Sequence, residues 1–448
     1  MTERQFIAMI LAAIEECQER IRDRFSLRKR CGILRPAMVA PLAISLPRLR
    51  THLEALSRFG RNPDGGGITR SCWSPAHEEA RAWLLGRMKE AGLSTWVDEA
   101  GNTFGRLGNG GPSVVTGSHI DTVPNGGPLD GALGVLAGLE CLQTIHESGG
   151  RTRLPLMVAA WSDEEGRYAG LFGSRAFAGK LDVKQIPRLR AADGERLVDA
   201  MARAGFNPYD APKARCNPKT LSAYVELHIE QGPHLEAAKI PIGVVEGIVG
   251  NRRNWVTFTG QADHAGTTPM AWRRDAFMAG AEYALRARRL IVAKGSGRSV
   301  TNFGRVEVGP GVSNIVPDRC VLLHEMRELD PRVLARLERQ CVTLARSVAK
   351  KWKLSVTIEP ISKSQPARCA PRVMRAVEAA AAGLKLKVKR MPSGAGHDAQ
   401  NLALVTDSGM LFIPSQGGRS HRPDETSDWR AIERGANTLL HTLLGLAG

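Results

Sequence analysis

The spacing of apolar residues in the first half of the chain predicts helices and buried strands. Pro75 to Ala91 is predicted as a helix capped by Ser74, with Leu84 and Met88 on its apolar face. Leu154 to Trp161 is almost wholly apolar, which is typical of a buried parallel strand. The same reasoning predicts strands at Ser113–Gly117 and Leu221–Leu227 and a helix at Gly131–Ile145.

Each of these predicted strands runs directly into a polar cluster. His119 and Asp121 follow the first strand, Glu164 and Glu165 follow Trp161, and His228 follows the third strand. In an open parallel sheet the carboxyl ends of the strands share one edge, and ligands bind at that edge. The sequence therefore predicts a ligand site built from these side chains.

The pattern changes around residues 247–251. Beyond this point it predicts an exposed-face strand at Asn254–Thr259, a helix at Thr268–Leu290, and strands at Ser299–Val308 and Cys320–Arg327. A chain of 448 residues is too long for one compact core. We therefore predict an α/β catalytic domain of residues 44–248 and 363–448, with a mixed, mostly parallel sheet flanked by helices. Residues 249–362 would form an inserted α+β domain.

Residues 1–43 differ from the rest and are predicted to be a helical, non-catalytic extension. An apolar stretch from Phe6 to Ile14 is followed at once by Glu15 and Glu16, which is unlike a signal peptide. A basic segment comes next, so binding to a partner or to a membrane surface is the alternative role. The apolar residues with roughly helical spacing are Ile7, Ile10, Leu11, Ile14 and Ile21.

The composition is that of an ordinary globular protein, with 43% hydrophobic and 24% charged residues. No run of about 18 apolar residues occurs, so we expect no membrane span. The net charge of +17 would suit a polyanion such as nucleic acid. The basic residues are not gathered into one block with interleaved aromatics, however, so we expect no nucleic-acid partner.

The eight cysteines are scattered and none forms a CxxC pair. This pattern argues against a disulfide framework and against a cysteine zinc site. It favours a reducing, cytoplasmic setting.

Seven His and acidic residues are candidates for a metal centre. Taken singly, each has an ordinary alternative, because a His after a strand is usually a hydrogen-bonded loop residue and a Glu pair is usually a solvated face. Their joint placement at strand ends and in glycine-rich turns favours metal binding, since such ions need His and carboxylate ligands together. The candidates are His119, Asp121, Asp130, Glu164, Glu165, His228 and His421.

The segment from Gly117 to Gly127, followed by Asp130-Gly131, resembles the zinc-dependent amidase, hydantoinase and carbamoylase family. This family includes N-carbamoyl-L-amino-acid hydrolases, allantoate amidohydrolases, ureidoglycolate hydrolases and β-ureidopropionases, and it is related to di-zinc aminopeptidase-like exopeptidases. The resemblance covers nearly everything after residue 44. It continues through Trp161–Gly166, Gly173–Arg175, Leu227–Glu236, Gly260–Met270, Gly311–Pro317, Ser393–Ala399 and Pro414–Glu425.

The resemblance implies two divalent metal ions, most commonly Zn²⁺, with Mn²⁺, Co²⁺ and Ni²⁺ as alternatives. His119, Asp130 and His228 would bind one ion. Asp130, Glu165 and His421 would bind the other, so that Asp130 bridges. Two ions held in this way lie about 3.5–4 Å apart and lower the pKa of a shared water from about 16 toward about 7.

The resemblance also assigns roles next to the metals. Glu164 would be the general base, which takes a proton from the water and passes it to the leaving nitrogen. Asp121 would accept the second ring N–H of a ligand His and fix its orientation. His264, in the inserted domain, would donate to the oxyanion of the tetrahedral intermediate.

Substrate binding is implied for residues of both predicted domains. Gln231, Asn314 and Arg327 would hold the substrate carboxylate and nearby polar atoms, because a guanidinium matches a carboxylate with two parallel hydrogen bonds. His397 would shape the same pocket or support its loop. Two departures from the family pattern affect this pocket: Glu325 replaces the usual Asp, and the segment after the Glu164-Glu165 pair is short.

We therefore expect a metal-dependent hydrolase that cleaves the N-carbamoyl or ureido amide of a small carboxylate, such as an N-carbamoyl-L-amino acid. The inserted domain would act as a lid and carry the contact of a homodimer. Alternatives within the fold are an allantoate or ureidoglycolate amidohydrolase, an N-acyl-amino-acid deacylase and a dipeptidase. A binding protein on an inactive scaffold is disfavoured by the complete ligand set and by Glu164.

Overall fold

The computed structural model describes residues 42–448, so the extension predicted for residues 1–43 falls almost wholly outside the described part. The strands are β1 Ser94–Val97, β2 Thr103–Leu107, β3 Ser113–His119, β4 Leu156–Trp161, β5 Leu221–Ile229, β6 Ile242–Ile248, β7 Gly250–Thr259, β8 Val300–Gly309, β9 Arg319–Glu328, β10 Ser355–Lys363, β11 Ala367–Arg368, β12 Val388–Ser393 and β13 Asp407–Ile413. The α-helices are α1 Leu46–Leu56, α2 Pro75–Glu90, α3 Ala132–Glu147, α4 Phe172–Phe177, α5 Leu197–Arg203, α6 His234–Ala238, α7 Ala276–Lys294, α8 Pro331–Trp352, α9 Pro371–Gly383, α10 Ala399–Leu402 and α11 Trp429–Ala447.

A large mixed sheet forms the first layer of the fold. Its order is β1-β2-β4-β3-β5-β13-β6-β11, with β12 beside β6. The four central strands, β4, β3, β5 and β13, run parallel to one another. Helices α3, α9 and α11 pack against this sheet, and β3 and β4 are buried along their whole length. The predicted fold class, a mostly parallel sheet flanked by helices, is confirmed.

A second sheet is built from β10-β7-β9-β8, and every neighbouring pair in it is antiparallel. Burial alternates along β7, so one face of this sheet is covered and the other is open. Helices α7 and α8 cover the first face, with Phe258, Tyr283, Leu322 and Leu337 in the core between them. The strands of this sheet span Gly250 to Lys363, while the domain boundaries drawn from the sequence stay a prediction.

The predicted elements agree with the structure except at one helix start. Ser74 caps α2 as predicted, since its Oγ accepts the backbone N–H of His77 at 3.3 Å. The helix predicted from Thr268 begins only at Ala276, because the carboxylate of Asp275 accepts the N–H of Met278 at 3.0 Å and forms the N-cap there. A separate 3-10 turn, Met270–Trp272, precedes this cap.

No helix between residues 42 and 448 is long and apolar enough to cross a bilayer. The six cysteines of the described part are free thiols, and five of them are buried.

Candidate metal centre

The ends of three neighbouring strands bring the predicted residues to one edge of the large sheet. His119 is the last residue of β3, and His228 is the penultimate residue of β5, the strand beside it. Glu164 and Glu165 follow β4 on the other side of β3. All four arrive at the carboxyl ends of parallel strands, as the sequence pattern predicts.

Asp130 lies just before α3 and presents its two carboxylate oxygens to different imidazoles. Oδ1 lies 3.1 Å from His228 Nε2 and 3.6 Å from His119 Nε2. Oδ2 lies 3.1 Å from His421 Nε2. Gly131 has a φ of +65°, and a Cβ at this position would overlap the His119 ring. Glycine therefore lets α3 start close enough to place Asp130 between the imidazoles.

Two clusters of donor atoms result, and they share Asp130. In the first, donor atoms of His119, Asp130 and His228 all lie within 4.8 Å of one another, and all three residues are buried. In the second, donor atoms of Asp130, Glu165 and His421 meet the same limit. His421 is the exception in burial, because its side chain is 50% exposed. The structure thus brings together all five residues predicted as metal ligands.

The two buried imidazoles are held in the ring form that a metal ligand needs. His119 Nδ1 lies 3.0 Å from the backbone oxygen of Asp121, and His228 Nδ1 lies 2.8 Å from that of Ile229. A carbonyl can only accept, so Nδ1 carries a hydrogen in each ring, which leaves Nε2 as the atom available to a metal ion. The predicted role of Asp121 is corrected in one respect. Its backbone oxygen is nearer to His119 than its carboxylate, which lies 3.6 Å away.

The electrostatics of the site are dominated by burial and by close carboxylates. Burial raises the pKa of Glu165 to about 7 and that of Glu164 well above its usual range, against the lowering effect of His119. Burial would also raise the pKa of Asp130, but hydrogen bonds with the imidazoles hold it well below its usual range. The hydrogen bond with Asp130 raises the pKa of His421 to about 9.

The donor set fits a pair of divalent cations. Asp121, Asp130, Glu164 and Glu165 form ion pairs with imidazoles only, and none pairs with a Lys or Arg within residues 42–448. Oδ1 of Asp121 is buried without a hydrogen-bond partner. Buried carboxylates normally pair with a cation or coordinate a metal, and mixed imidazole and carboxylate donors suit Zn²⁺ and its neighbours.

Glu164 stands beside the ligand clusters on a tightly folded turn. Its Oε2 lies 3.6 Å from His119 Nε2, and its side chain is only 10% exposed. The preceding Asp163 folds the turn, because its Oδ2 accepts the backbone N–H groups of Tyr168 and Ala169 at 3.1 and 3.0 Å. The short segment after the Glu pair therefore has a fixed shape that holds Glu164 at the site.

Gln231 contacts the centre itself. Its Nε2 donates to Asp130 Oδ2 at 2.8 Å and to Ser420 Oγ at 3.3 Å, whereas its Oε1 is buried with no partner in the described chain. Gln231 has a φ of +58°, and its backbone N–H donates to Ser415 Oγ at 3.0 Å. The side chain predicted to hold substrate thus lies beside Asp130, and its Oε1 is available as an acceptor.

Arg327 links the antiparallel sheet to the loop that carries His397. Its Nη1 donates to the carbonyl oxygen of Gly394 at 2.5 Å, and its Nε donates to Glu325 at 2.6 Å. The second oxygen of Glu325 accepts the Nε of Arg253 at 2.7 Å. Glu325, the residue that departs from the family pattern, therefore sits between two arginines and orients Arg327.

His264 and Asn314 lie together in the region of the antiparallel sheet. The backbones of His264 and Ile315 form an isolated antiparallel β-bridge. The N–H of Ala265 donates to the Asn314 carbonyl oxygen at 2.9 Å. The Nδ1 of His264 accepts the N–H groups of Gly266 and Thr267, which leaves Nε2 as the N–H donor. In the part of the chain described, neither side chain bonds to the metal-ligand candidates.

His397 packs against the back of His228. Their ring centroids are 4.6 Å apart at an interplanar angle of 63°, and His397 Nε2 pairs with Ser393 Oγ at 2.8 Å. Burial and the neighbouring His228 hold the pKa of His397 well below its usual value. A neutral His397 avoids charge repulsion with His228 and supports its ring.

Glu425 and Ser420 are functional residues that the sequence reasoning missed. Glu425 Oε1 accepts the backbone N–H groups of Leu129 and Asp130, both at 2.9 Å. Its Oε2 accepts the hydroxyl of Ser420 at 2.8 Å, and that hydroxyl also lies 2.8 Å from Asp130 Oδ2. Both residues fall inside the Pro414–Glu425 motif, and an acid four residues after His421 was the available signal.

Comparison with known proteins shows similarity over most of the chain. Residues 115–445 match the family model for peptidase family M20/M25/M40. An N-carbamoyl-L-amino acid amidohydrolase from Geobacillus stearothermophilus is 40% identical over 407 residues, which cover 89% of this chain and 98% of that protein. An allantoate amidohydrolase from Escherichia coli (strain K12) is 36% identical over 401 residues, covering 88% and 96%.

A solved structure gives the same result for the fold. The crystal structure of an amidase of the hydantoinase/carbamoylase family from Burkholderia multivorans superposes with a TM-score of 0.83 at 34% identity. The match covers 91% of this chain and 98% of that one. The resemblance read from the motifs is confirmed.

Proposed function

The chain belongs to peptidase family M20/M25/M40, and we propose that it is a two-metal amidohydrolase acting on the carbamoyl or ureido group of a small carboxylate. The names of its relatives, which are hydrolases of linear amides, support an N-carbamoyl-L-amino acid as the first substrate class. One observation carries the proposal. The two oxygens of Asp130 face separate imidazole groups, which is the arrangement of a bridging metal ligand.

We assign the two ligand sets from this shared carboxylate. His119 and His228 would hold one divalent ion with Asp130 Oδ1. Glu165 and His421 would hold the second with Oδ2. Zn²⁺ is the proposed ion because imidazole and carboxylate donors suit it, with Mn²⁺, Co²⁺ and Ni²⁺ as alternatives. When bound, such a pair supplies an acidified water and polarises the scissile carbonyl.

Glu164 performs the proton transfers in the proposed reaction. Its carboxylate accepts a proton from the attacking water and delivers it to the nitrogen of the leaving group. Burial suits this role, because a raised pKa lets Glu164 keep the proton between the two steps. With an N-carbamoyl amino acid and one water, the products are the free amino acid, carbon dioxide and ammonia.

The lid residues would complete the site around the substrate. His264 Nε2–H is the donor proposed for the oxyanion, a role supported by the two backbone N–H groups that occupy Nδ1. Arg327 and Asn314 would hold the substrate carboxylate, and the free Oε1 of Gln231 would accept a neighbouring N–H of the substrate. His397 keeps a supporting role behind His228.

A homodimer through the second sheet is supported by two features of its surface. Strand β8 is at the edge of that sheet, so one row of its backbone groups is unpaired within residues 42–448. Helix α7, which packs beside β8, exposes Met278, Leu285 and Val292 at 45%, 61% and 69%. These side chains are seven residues apart, which places them on one face of the helix. A contact between two copies related by a two-fold axis would bury them. The free cysteines support a reducing compartment such as the cytoplasm.

A substrate panel tests the proposed function. Metal-loaded protein is offered N-carbamoyl-L- and D-amino acids, allantoate, ureidoglycolate, N-acetyl amino acids and dipeptides, and the release of ammonia or of free amino acid is measured. Glu164→Gln serves as the matched control for contaminating activity. Turnover of N-carbamoyl-L-amino acids supports the proposal, and turnover of allantoate alone favours the activity of the Escherichia coli relative. Turnover of acetyl or dipeptide substrates alone, or of none, contradicts it.

A further inference from the structure

The hydrogen-bond ladder between β3 and β5 stops before the metal centre. These strands pair from Ser113 opposite Leu221 to Thr116 opposite Val225. Beyond Thr116, β3 remains paired only with β4 among the described strands. His119 and His228 therefore sit on strand ends that have separated, and their ring centroids are 6.2 Å apart.

The first turn of α3 occupies the opening between these strand ends. A Cβ on Gly134 would lie 2.5 Å from the carbonyl oxygen of Leu227 on β5 and 2.8 Å from Ser118 Cβ on β3. Only glycine allows so close an approach. Because Asp130 immediately precedes α3, the separation of the strands and the position of the bridging carboxylate depend on each other.

Glu226 spans the same opening with its side chain. Its Oε1 accepts the hydroxyl of Ser118 at 2.7 Å, and its Oε2 accepts the backbone N–H of Ala399 at 3.0 Å. The hydroxyl of Tyr224 lies 3.1 Å from Oε2 and 3.0 Å from the Gly117 carbonyl oxygen, so it donates to either. Glu226 is completely buried.

Each of these contacts is next to a residue of the centre. Ser118 precedes His119, Glu226 is two residues before His228 on the same strand face, and Ala399 follows His397 by two residues. Glu226 also has an oxygen near the nitrogens of His228 and His397, in a cluster within 4.8 Å. Its oxygens accept from Ser118 and Ala399, so this carboxylate connects three segments by hydrogen bonds.

We propose that Glu226 is a positioning residue, which acts through Ser118 to fix the separation of the His119 and His228 strand ends and so sets their affinity for a metal ion. The inference rests on the proposed function, since it concerns the same metal centre. Removing a partner that orients a metal ligand typically weakens metal binding about 10- to 100-fold.

The decisive variant is Ser118→Ala, with Ser113→Ala as its matched control. Both serines are buried on β3, but Ser113 is at the opposite end of the strand. Zn²⁺ affinity is measured by competition with a chromogenic chelator, and thermal unfolding of the metal-free proteins reports the structural loss separately. We expect Ser118→Ala to bind Zn²⁺ about tenfold more weakly than wild type, and Ser113→Ala to match wild type.

Two substitutions at Glu226 separate positioning from general stability. Glu226→Gln keeps the connections, because its amide oxygen can accept from Ala399 and its NH₂ can donate to Ser118 Oγ, so affinity should stay within about threefold. Glu226→Ala removes all of them and should weaken binding about 10- to 100-fold. If Glu226→Ala does not fold, Ser118→Ala decides alone.

The outcomes distinguish this inference from the proposed function. If wild-type protein binds Zn²⁺ and Ser118→Ala binds it as tightly as Ser113→Ala does, the positioning role of Glu226 is overturned. The proposed function is not affected by that result. Failure of Glu226→Gln to restore affinity relative to Glu226→Ala overturns the positioning role as well. Wild-type protein that binds no Zn²⁺ overturns the proposed function and this inference with it.

Discussion

Glu425 Oε1 accepts the backbone N–H of Asp130 at 2.9 Å. The other oxygen of Glu425 accepts the hydroxyl of Ser420, the residue before His421. The carboxylate of Glu425 therefore connects the loop of Asp130, the proposed bridging ligand, to the loop of His421, the most exposed of the proposed ligands. Because the side chain of His421 is half exposed, we expect its position to depend on this link.

Glu425→Ala should weaken the centre without unfolding the protein. The two loops would lose their common acceptor, and activity should fall about 10- to 100-fold with preferential loss of one metal ion per chain. Metal content and turnover are measured on the same samples. Asp424→Ala is the control, because Asp424 is exposed and its ion pairs among residues 42–448 are with Arg419 and Arg422. Equal effects of the two substitutions would refute the link.

Substitutions at the adjacent Glu164 and Glu165 should have different consequences. Glu164→Gln removes a base but no proposed ligand, so the protein should keep its metal and lose about 10²- to 10⁴-fold in kcat. Glu165→Gln removes a proposed ligand and should lose metal as well as activity. Metal analysis and turnover of both variants check this contrast. Retained turnover in Glu164→Gln would refute its role as the base.

The sequence predicts the large mixed sheet and its ligand groups well, because the patterns that indicate them lie within short segments of the chain. The apolar run before Trp161 and the short strand before His119 each end in a ligand group, and parallel topology brings such ends together. The resemblance to the amidase family then assigns a role to every candidate. All five predicted ligands meet in the structure, although their identity as ligands stays a prediction.

The features that were missed depend on contacts between distant segments. Glu425 lies 295 residues from Asp130 along the chain, and no local pattern indicates that a buried Glu accepts an N–H there. The predicted start of α7 at Thr268 is wrong, because the Asp275 cap sets the boundary. The sequence likewise does not indicate that the nearer acceptor for His119 Nδ1 is the backbone oxygen of Asp121.

The core of the second sheet contains an imidazole that should make stability sensitive to acid. His324 is fully buried, stacked on Phe303 at 4.4 Å, and bonded to Tyr283 and Thr301. Burial lowers the pKa of His324 to about 4, below its ordinary value of 6.5. Above pH 6.5 the ring is neutral in both states and its contribution is complete. As pH falls from 6.5 toward 4, His324 is protonated in the unfolded chain but remains neutral in the folded chain.

The free energy of unfolding should therefore decrease over that window, by roughly 3 kcal/mol for this residue alone. Urea unfolding between pH 4 and 7 measures the slope. His324→Gln should flatten it, and His146→Gln, at an exposed position, should leave it unchanged. An equally steep slope in His324→Gln would show that other groups cause the acid sensitivity.

The proposed dimer contact predicts that a charge on α7 disrupts association. Leu285→Glu places a carboxylate in the middle of the exposed Met278, Leu285 and Val292 row, where burial against its two-fold copy is unfavourable. Sedimentation or light scattering should show a dimer for wild type and a monomer for the variant. Leu404→Glu, at a position 57% exposed on the other sheet layer, should remain dimeric. A monomeric wild type would contradict the assignment.

Metal content is the most direct test of the shared carboxylate at the centre of the account. Purified protein is reconstituted with Zn²⁺, freed of excess ion, and analysed by mass spectrometry for metal per chain. We predict two ions per chain in wild type. Asp130→Asn should lose both, because that carboxylate belongs to both clusters. Wild type without bound ions, or Asp130→Asn with both ions retained, would contradict this prediction.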